Sequence, residues 1–140
     1  MKFRNKYYFL SNFYPSPFKI KKITFPTVEH YFQCMKCISK KEFNLILSCK
    51  SPSEAKKLGR KVKLRKGWKE IRVKIMKKGV YEKFKQNATL RKKLINIEGE
   101  IKEENTWNDT FWGVCNGDGK NILGEILMST KKYFTITSKN

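Results

Sequence analysis

Two carboxylates stand in surroundings unusual for a surface acid. Glu29 lies in Thr27-Val28-Glu29-His30-Tyr31-Phe32-Gln33, with aromatic residues close by in sequence. A carboxylate partly withdrawn from water by aromatic rings has a raised pKa and can serve as a general acid or base. An acid in the first turn of a helix also complements the positive end of the helix dipole, so the residues alone leave both readings open. Asp109 lies in Trp107-Asn108-Asp109-Thr110-Phe111-Trp112-Gly113, where three large rings flank one aspartate in a polar loop. Such rings either stack on a flat ligand such as a nucleobase or pin the loop to the core. A third stretch, Asn116-Gly117-Asp118-Gly119-Lys120-Asn121, runs into a helical pattern. Glycines ahead of a helix N-terminus can hold a phosphate on backbone N–H groups. The Lys-Ser/Thr pair of a P-loop is missing, however, and a plain turn with an N-cap fits as well.

Other chemistries find little support. Cys34-x-x-Cys37 has the spacing of a zinc or redox pair, but both cysteines fall in a helical pattern. Cys49 has no neighbouring ligand, and His30 is the single histidine. A four-ligand site would need distant residues to converge without a second paired motif, so no metal is expected. There is no Gly-x-Ser-x-Gly, no supported Cys/His dyad and no dinucleotide fingerprint, so no organic cofactor is expected either. Free thiols suit a reducing compartment, which gives a cytoplasmic, intracellular expectation. No run of 18 apolar residues exists to cross a membrane, and the start of the chain lacks the apolar core of a signal peptide.

The elements that must position these groups are mostly helical. Residues 3 to 26 are aromatic, with Pro15, Pro17 and Pro26, and suit extended segments and turns; Phe18 to Phe25 suits a short hairpin. Thr27 is a good N-cap for a helix in which Val28, Tyr31, Phe32, Met35 and Ile38 form the core face. Glu29, Gln33 and Lys36 fall on another side of it, so packing does not require Glu29 to be buried. A short helix over Lys41 to Cys49 follows. Ser51-Pro52-Ser53-Glu54 is a capping box with proline at the first helical position, and its helix runs to about Val62. Gly59 inside that helix costs about 1 kcal/mol relative to Ala and implies close approach of a ligand or another helix. A long helix fits Trp68 to about Lys85, with Ile71, Ile75, Phe84 and Val80 toward the core. Asn87 opens a helix through Leu94, Ile97 to Glu104 reads as strand or extended chain, and residues 105–120 are turns. A last helix spans Asn121 to Lys131, with Ile122, Leu123, Ile126 and Leu127 inward. No repeat or linker divides the 140 residues, so one mainly α domain with a few short strands is expected.

The formal charge is +20, from 27 Lys and 5 Arg against 12 acids, scattered along the whole chain. A phosphate-bearing partner is one explanation. A lysine-rich solvated surface is the other, since bidentate phosphate recognition prefers Arg.

Taken in order, the motifs resemble the YbiA-like, or NADAR, family. The opening is Phe9-Leu10-Ser11-Asn12-Phe13-Tyr14-Pro15 and Phe25-Pro26-Thr27-Val28-Glu29-His30-Tyr31-Phe32-Gln33. Ser51-Pro52-x-Glu54-Ala55-Lys56-x-Leu58-Gly59-Arg60, Leu64-Arg65-x-x-Trp68 and Lys83-Phe84-x-Gln86-Asn87 follow. Asp109-x-x-Trp112-Gly113 and Gly119-x-Asn121-x-Leu123-Gly124-x-x-Leu127-Met128 close the series. Seven collinear blocks cover nearly the whole chain. The resemblance implies a compact, mainly helical single domain with a few short strands over residues 1–140, and cleavage of N-glycosidic bonds. Implied substrate classes are ribosylamino-pyrimidine phosphates from riboflavin biosynthesis and ADP-ribose attached to guanine. It also implies Glu29 as the key catalytic group, with Asp109, Trp68 and Trp112 involved. The chain departs from the family pattern in having Lys131 and Lys132 where an arginine often ends the last helix, and Gly67 where an acid often precedes the tryptophan.

Hydrolysis of a ribosyl C1′–N bond passes through an oxocarbenium-like transition state. The expectation is that Glu29 stabilises that cation or activates water, while Asp109 orients ribose or assists the leaving base. Trp68 and Trp112 would sandwich the base. Asn12, Phe13, Gln33 and Gly59 would line the substrate site, with Lys56, Arg60 or the helix start at Asn121 for phosphate. The substrate partner is ribosyl or ADP-ribosyl, on a nucleotide or on nucleic acid, with no membrane involved. The competing reading is a catalytically silent module that binds ADP-ribose, NAD or nucleic acid.

Overall fold

The computed structural model describes residues 1–138. Among the described residues, six α-helices, one 3-10 helix and one two-stranded sheet form two compact units, residues 12–86 and residues 1–11 with 87–138.

The unit of residues 12–86 begins with the hairpin of β1 (Phe18–Ile20) and β2 (Ile23–Phe25), antiparallel with Phe18 opposite Phe25. Lys21 and Lys22 both take positive φ, at 50° and 70°. That is the mirror-image turn whose twist matches a two-residue hairpin. The two phenylalanine rings lie 5.9 Å apart and meet the ring of Tyr31 at 5.8 and 5.1 Å, edge-on. Gln86 clips the outside of β1, its carboxamide accepting from Lys19 N–H at 2.7 Å and donating to Lys19 C=O at 2.8 Å.

Four helices follow: α1 (Val28–Cys34), α2 (Lys40–Leu47), α3 (Pro52–Gly59) and α4 (Trp68–Gln86). The capping signals work as their chemistry requires. Thr27, Ser39 and Ser51 each accept from the backbone N–H three residues on. Glu54 reaches back one residue further than a capping box demands, to Lys50 N–H. α3 stops at Gly59 rather than Val62, and the chain then runs extended beside the end of α1. Ile38 lies beyond the end of α1 and is 61% exposed, so it is not core. On α4 the buried face is Trp68, Met76, Gly79, Val80, Lys83 and Phe84, with Ile71 and Ile75 only half-buried. Gly79 is on that face because a Cβ there would press on Tyr31 and Val28.

In the other unit, residues 5–10 form a 3-10 helix where extended chain was expected. α5 (Ala88–Ile95) packs on α6 (Ile122–Thr137), which runs past the expected Lys131. Phe9, Leu10, Leu90, Leu94, Ile101, Leu123, Ile126, Leu127 and Phe134 are buried here, while Ile122 is only half-buried. Ile97 to Glu104 is extended, with a single bridge from Glu104 to Val114 and no full strand. A second two-residue turn closes Cys115 onto Asp118, with Asn116 at φ 52° and Gly117 at φ 83°. No helix among the described residues is long and apolar enough to cross a membrane.

The two turns share a geometry but not a sequence. Lysine in the left-handed region costs about 1–2 kcal/mol relative to glycine. Replacing Lys21-Lys22 by Asn-Gly is therefore expected to stabilise the protein by about 1–2 kcal/mol, seen as a higher urea midpoint at unchanged slope. A midpoint that stays put or falls contradicts this account of the turn.

Candidate active site

All seven residues of α1 are buried, because α2, α3, α4 and β2 all pack against this one short helix. Glu29 is among them, 7% exposed. The face that sequence periodicity left free for it is covered by α3. Its carboxylate accepts from Gln33 Nε2 at 2.5 Å, one turn along the helix. Gln33 takes that position because residue 59 is glycine: any Cβ there would strike the Gln33 carboxamide. The Glu29 backbone N–H donates to the Asn12 carbonyl at 3.0 Å, fixing the chain before the hairpin to the start of α1.

The charges of three cations act on this carboxylate. Burial pushes the Glu29 pKa up, while the Gln33 hydrogen bond and the charges of Lys56, Lys36 and Arg60 pull it back, leaving it raised. Burial pulls the Lys36 ammonium down; Arg60 and Lys56 add to that, and Glu29 opposes it. Lys56 also lies over the Phe13 ring, 5.9 Å from its centroid. Asn12 donates to Met76 Sδ at 3.4 Å. The buried oxygens of the Asn12 and Gln33 carboxamides, by contrast, have no hydrogen-bond donor. An unpaired buried acceptor costs about 1–3 kcal/mol.

Asn12, Phe13, Glu29, Gln33, Lys56, Gly59 and Arg60 are thus gathered around one carboxylate. Lys36 belongs with them and was not singled out from sequence. The signal was available, since Glu29, Gln33 and Lys36 share one helical face. Trp68 sits in the same unit but in a different role. It is 8% exposed with its ring 5.1 Å from Phe32, a core contact with little surface left for a base. His30 is structural too. Its Nε2 donates to the Cys49 carbonyl at 2.9 Å, and its Nδ1 meets the Thr27 hydroxyl at 2.8 Å.

The remaining predicted residues form a loop in the other unit. Asp109 Oδ1 accepts from Trp112 N–H at 2.9 Å and Phe111 N–H at 3.2 Å. Asn105 ties off the same turn, accepting from Asp109 N–H and donating to the Asp109 carbonyl and to Glu103. Trp112 is half-buried, edge-on to Phe111 at 4.8 Å. Gly113 is required because a Cβ would collide with Glu103 and Asn105. The start of α6 corrects the expectation of a phosphate site there. The N–H groups of Lys120, Asn121, Ile122 and Leu123 donate to the carbonyls of Thr110, Gly113, Phe111 and Trp112. The Asn121 side chain bridges Glu103 N–H and Ile101 C=O. A helix end already satisfied by the loop it follows has no donors to offer an anion. The cleft of about 430 Å³ in this unit, lined by Lys2, Lys102, Glu104, Asn105, Thr106, Val114, Asn116 and Gly117, contains none of the predicted site residues. Among the described residues no cluster of His, Cys, Asp and Glu could hold a metal ion.

Known proteins are similar to this chain in sequence and in fold. Residues 1–135 match the NADAR domain. N-glycosidase YbiA of Shigella flexneri is 39% identical over 129 residues, covering 90% of this chain and 81% of that protein. The riboflavin biosynthesis protein VVA0006 of Vibrio vulnificus is 34% identical over 127 residues, 89% of this chain but only 35% of its own length. The NMR structure of the Escherichia coli protein YbiA superposes with a TM-score of 0.88 at 34% identity, covering 100% of this chain and 87% of that one. A match of this length in both sequence and fold leaves one conclusion: the chain belongs to the NADAR family.

Proposed function

We propose that this N-glycosidase hydrolyses the bond between C1′ of a phosphate-bearing ribose and a nitrogenous base, with Glu29 as the carboxylate that meets the ribosyl cation. The observation that carries this is a buried acid that accepts one hydrogen bond, from Gln33, with the charges of Lys56, Lys36 and Arg60 acting on it. As C1′–N breaks, positive charge builds on the ribose. A fixed negative oxygen in a site of low polarity stabilises that charge far more than water does. The same carboxylate can take a proton from the attacking water. Lys56, on α3, and Arg60, the residue that caps its C-terminus, suit the phosphate.

Gln33 is a positioning residue in this scheme. It touches the reacting carboxylate, and Gly59 seats it. Asp109 is assigned a positioning role as well, because one of its oxygens is spent on the backbone that presents Trp112.

The substrate is either a ribosylamino-pyrimidine phosphate or ADP-ribosylated guanine, on a nucleotide or on nucleic acid. The net charge of +20 favours the more anionic of these. A silent binding module is the contrary case, in which ADP-ribose binds and no N-glycoside is cleaved. Mass-spectrometric detection of the base released from each substrate separates the three.

Glu29→Gln keeps the Gln33 contact and removes the charge. Turnover should fall roughly 10²–10⁴-fold, and a variant with near wild-type turnover would sink the assignment. In the wild type the acid limb of kcat/KM should lie above 4.5, the reference value that burial raises. Stability moves the other way. A carboxyl whose pKa is higher in the fold than in the unfolded chain favours folding fully below pH 4.5, and loses that as pH climbs through the folded value. Glu29→Gln should therefore match wild type in urea near pH 4 and exceed it near neutrality.

Asp109→Asn retains an acceptor for Phe111 and Trp112 N–H, whereas Asp109→Ala does not. If the carboxylate positions the loop, kcat/KM falls at least ten times further in the alanine variant than in the asparagine one. Equal losses would mean that its charge takes part in the reaction.

A further inference from the structure

The charge is unevenly placed. Residues 12–86 hold 21 of the 32 basic residues and only 5 of the 12 acids. The densest stretch is Lys56 to Lys69: eight cations in fourteen residues, with no acid. Lys57, Arg60, Lys61, Lys63, Lys66 and Lys69 are exposed. None of the ion pairs among the described residues includes any of them. A solvated lysine face normally interleaves its acids. Here the like charges repel without relief, which opposes folding.

The backbone under this strip is fixed. After α3 the chain crosses the end of α1, with Arg65 N–H donating to Lys36 C=O at 2.8 Å and the Arg65 guanidinium to Met35 C=O at 3.4 Å. Leu64 bridges to Cys37, and Gly67, at φ 75°, turns the chain into α4. Leu64 and the neighbouring Ile38 are 50% and 61% exposed, two apolar side chains set among the cations. At its other end the strip begins with Lys56 and Arg60, whose charges act on Glu29.

We propose that the Lys56–Lys69 strip is a docking surface for single-stranded nucleic acid. The exposed cations track phosphates, and Leu64 and Ile38 meet base faces. A free nucleotide needs two or three cations, and Lys56, Arg60 and Lys36 already supply them. The five lysines beyond have partners only if the phosphates continue. A membrane surface fits less well, because two isolated apolar side chains form no face to insert. That a bound strand runs toward Glu29 rests on the reading of Glu29 given above; the binding itself does not.

The test is fluorescence anisotropy of a labelled twelve-residue oligodeoxythymidylate across a salt series. Five phosphate contacts give a slope of about −3.5 in log K against log salt, an affinity loss of roughly 10²-fold from 50 to 200 mM. Changing Lys57, Lys61, Lys63, Lys66 and Lys69 together to Gln should make the slope shallower by about 3.5. Changing Lys21, Lys22, Lys40, Lys41 and Lys50, five exposed lysines of the same unit, makes the same change in net charge and should leave the slope within one unit of wild type. Glu29→Gln should bind as wild type does, so this result stands apart from any result on turnover. Equal effects of the two lysine sets would overturn the proposal, as would no binding at 50 mM salt. So would tighter strip-dependent binding to phosphatidylserine vesicles than to the oligonucleotide.

Discussion

A buried carboxylate with one hydrogen bond governs the unit that contains it. Removing an acid from water is costly unless donors or cations compensate. Here one carboxamide donates and the charges of three cations act on it. Each compensation imposes a demand on the sequence. Gln33 must lie one turn from Glu29, so both must be helical. Residue 59 must be glycine, so that α3 can come up against Gln33. Lys56 and Arg60 must lie four residues apart, on α3 and at its C-cap. Thr27 must cap α1 so that the first turn, which carries Glu29, is held at its start. The raised pKa of Glu29 shows that compensation is incomplete, and the unpaired oxygens of Asn12 and Gln33 lie in the same cluster. Strain of this kind, concentrated around one acid, is the form in which an active site spends stability.

The loop around Asp109 obeys the opposite rule. Its polar groups are largely satisfied by one another, through Asn105, Asp109, Asn121 and the carbonyls of Thr110 to Gly113. The block Asp109-x-x-Trp112-Gly113 and the pair Asn121 and Gly124 follow from that closure, since a Cβ at either glycine would strike the network. A motif that looks catalytic from its residue types can be a device for holding a backbone in place. The distinction matters for Asp109, whose carboxylate meets its own loop before it can meet a substrate.

The difference between these two regions explains what was legible in the sequence. Caps were legible because they are local: Thr27 and Ser51 act within three residues of themselves. The hairpin was legible from its apolar ends, although Lys21-Lys22 is a poor signal for a turn of positive φ. The burial of Glu29 was not legible, because periodicity assigns faces of a single helix and cannot show that α3 closes over the second one. Gly59 pointed to a close approach without saying to what. Lys83, fully buried on α4 with its ammonium drawn down to about 7 by desolvation, breaks the apolar pattern where no local rule would place a charge. The phosphate reading of Asn121 failed for a related reason: the loop that occupies the helix N–H groups is close in sequence, but its fold is set by side-chain bonds that spacing does not reveal.

The charge distribution connects the site to its surroundings. Lys36, Lys56 and Arg60 act on Glu29 at short range, and their cost to one another is offset by that one acid. The five exposed lysines of the Lys56–Lys69 segment form no ion pair with Glu29 or with any other acid among the described residues. Their repulsion is therefore not part of what holds Glu29, and neither hydrogen bonds nor ion pairs within the unit use them. Two requirements meet in one segment. Near Glu29 the cations must be few, to tune a carboxylate. Farther along they must be many and exposed, to be of use to a long anion. The fold meets both by ending α3 at Gly59 and laying the next residues, still basic, along the end of the helix that carries the acid.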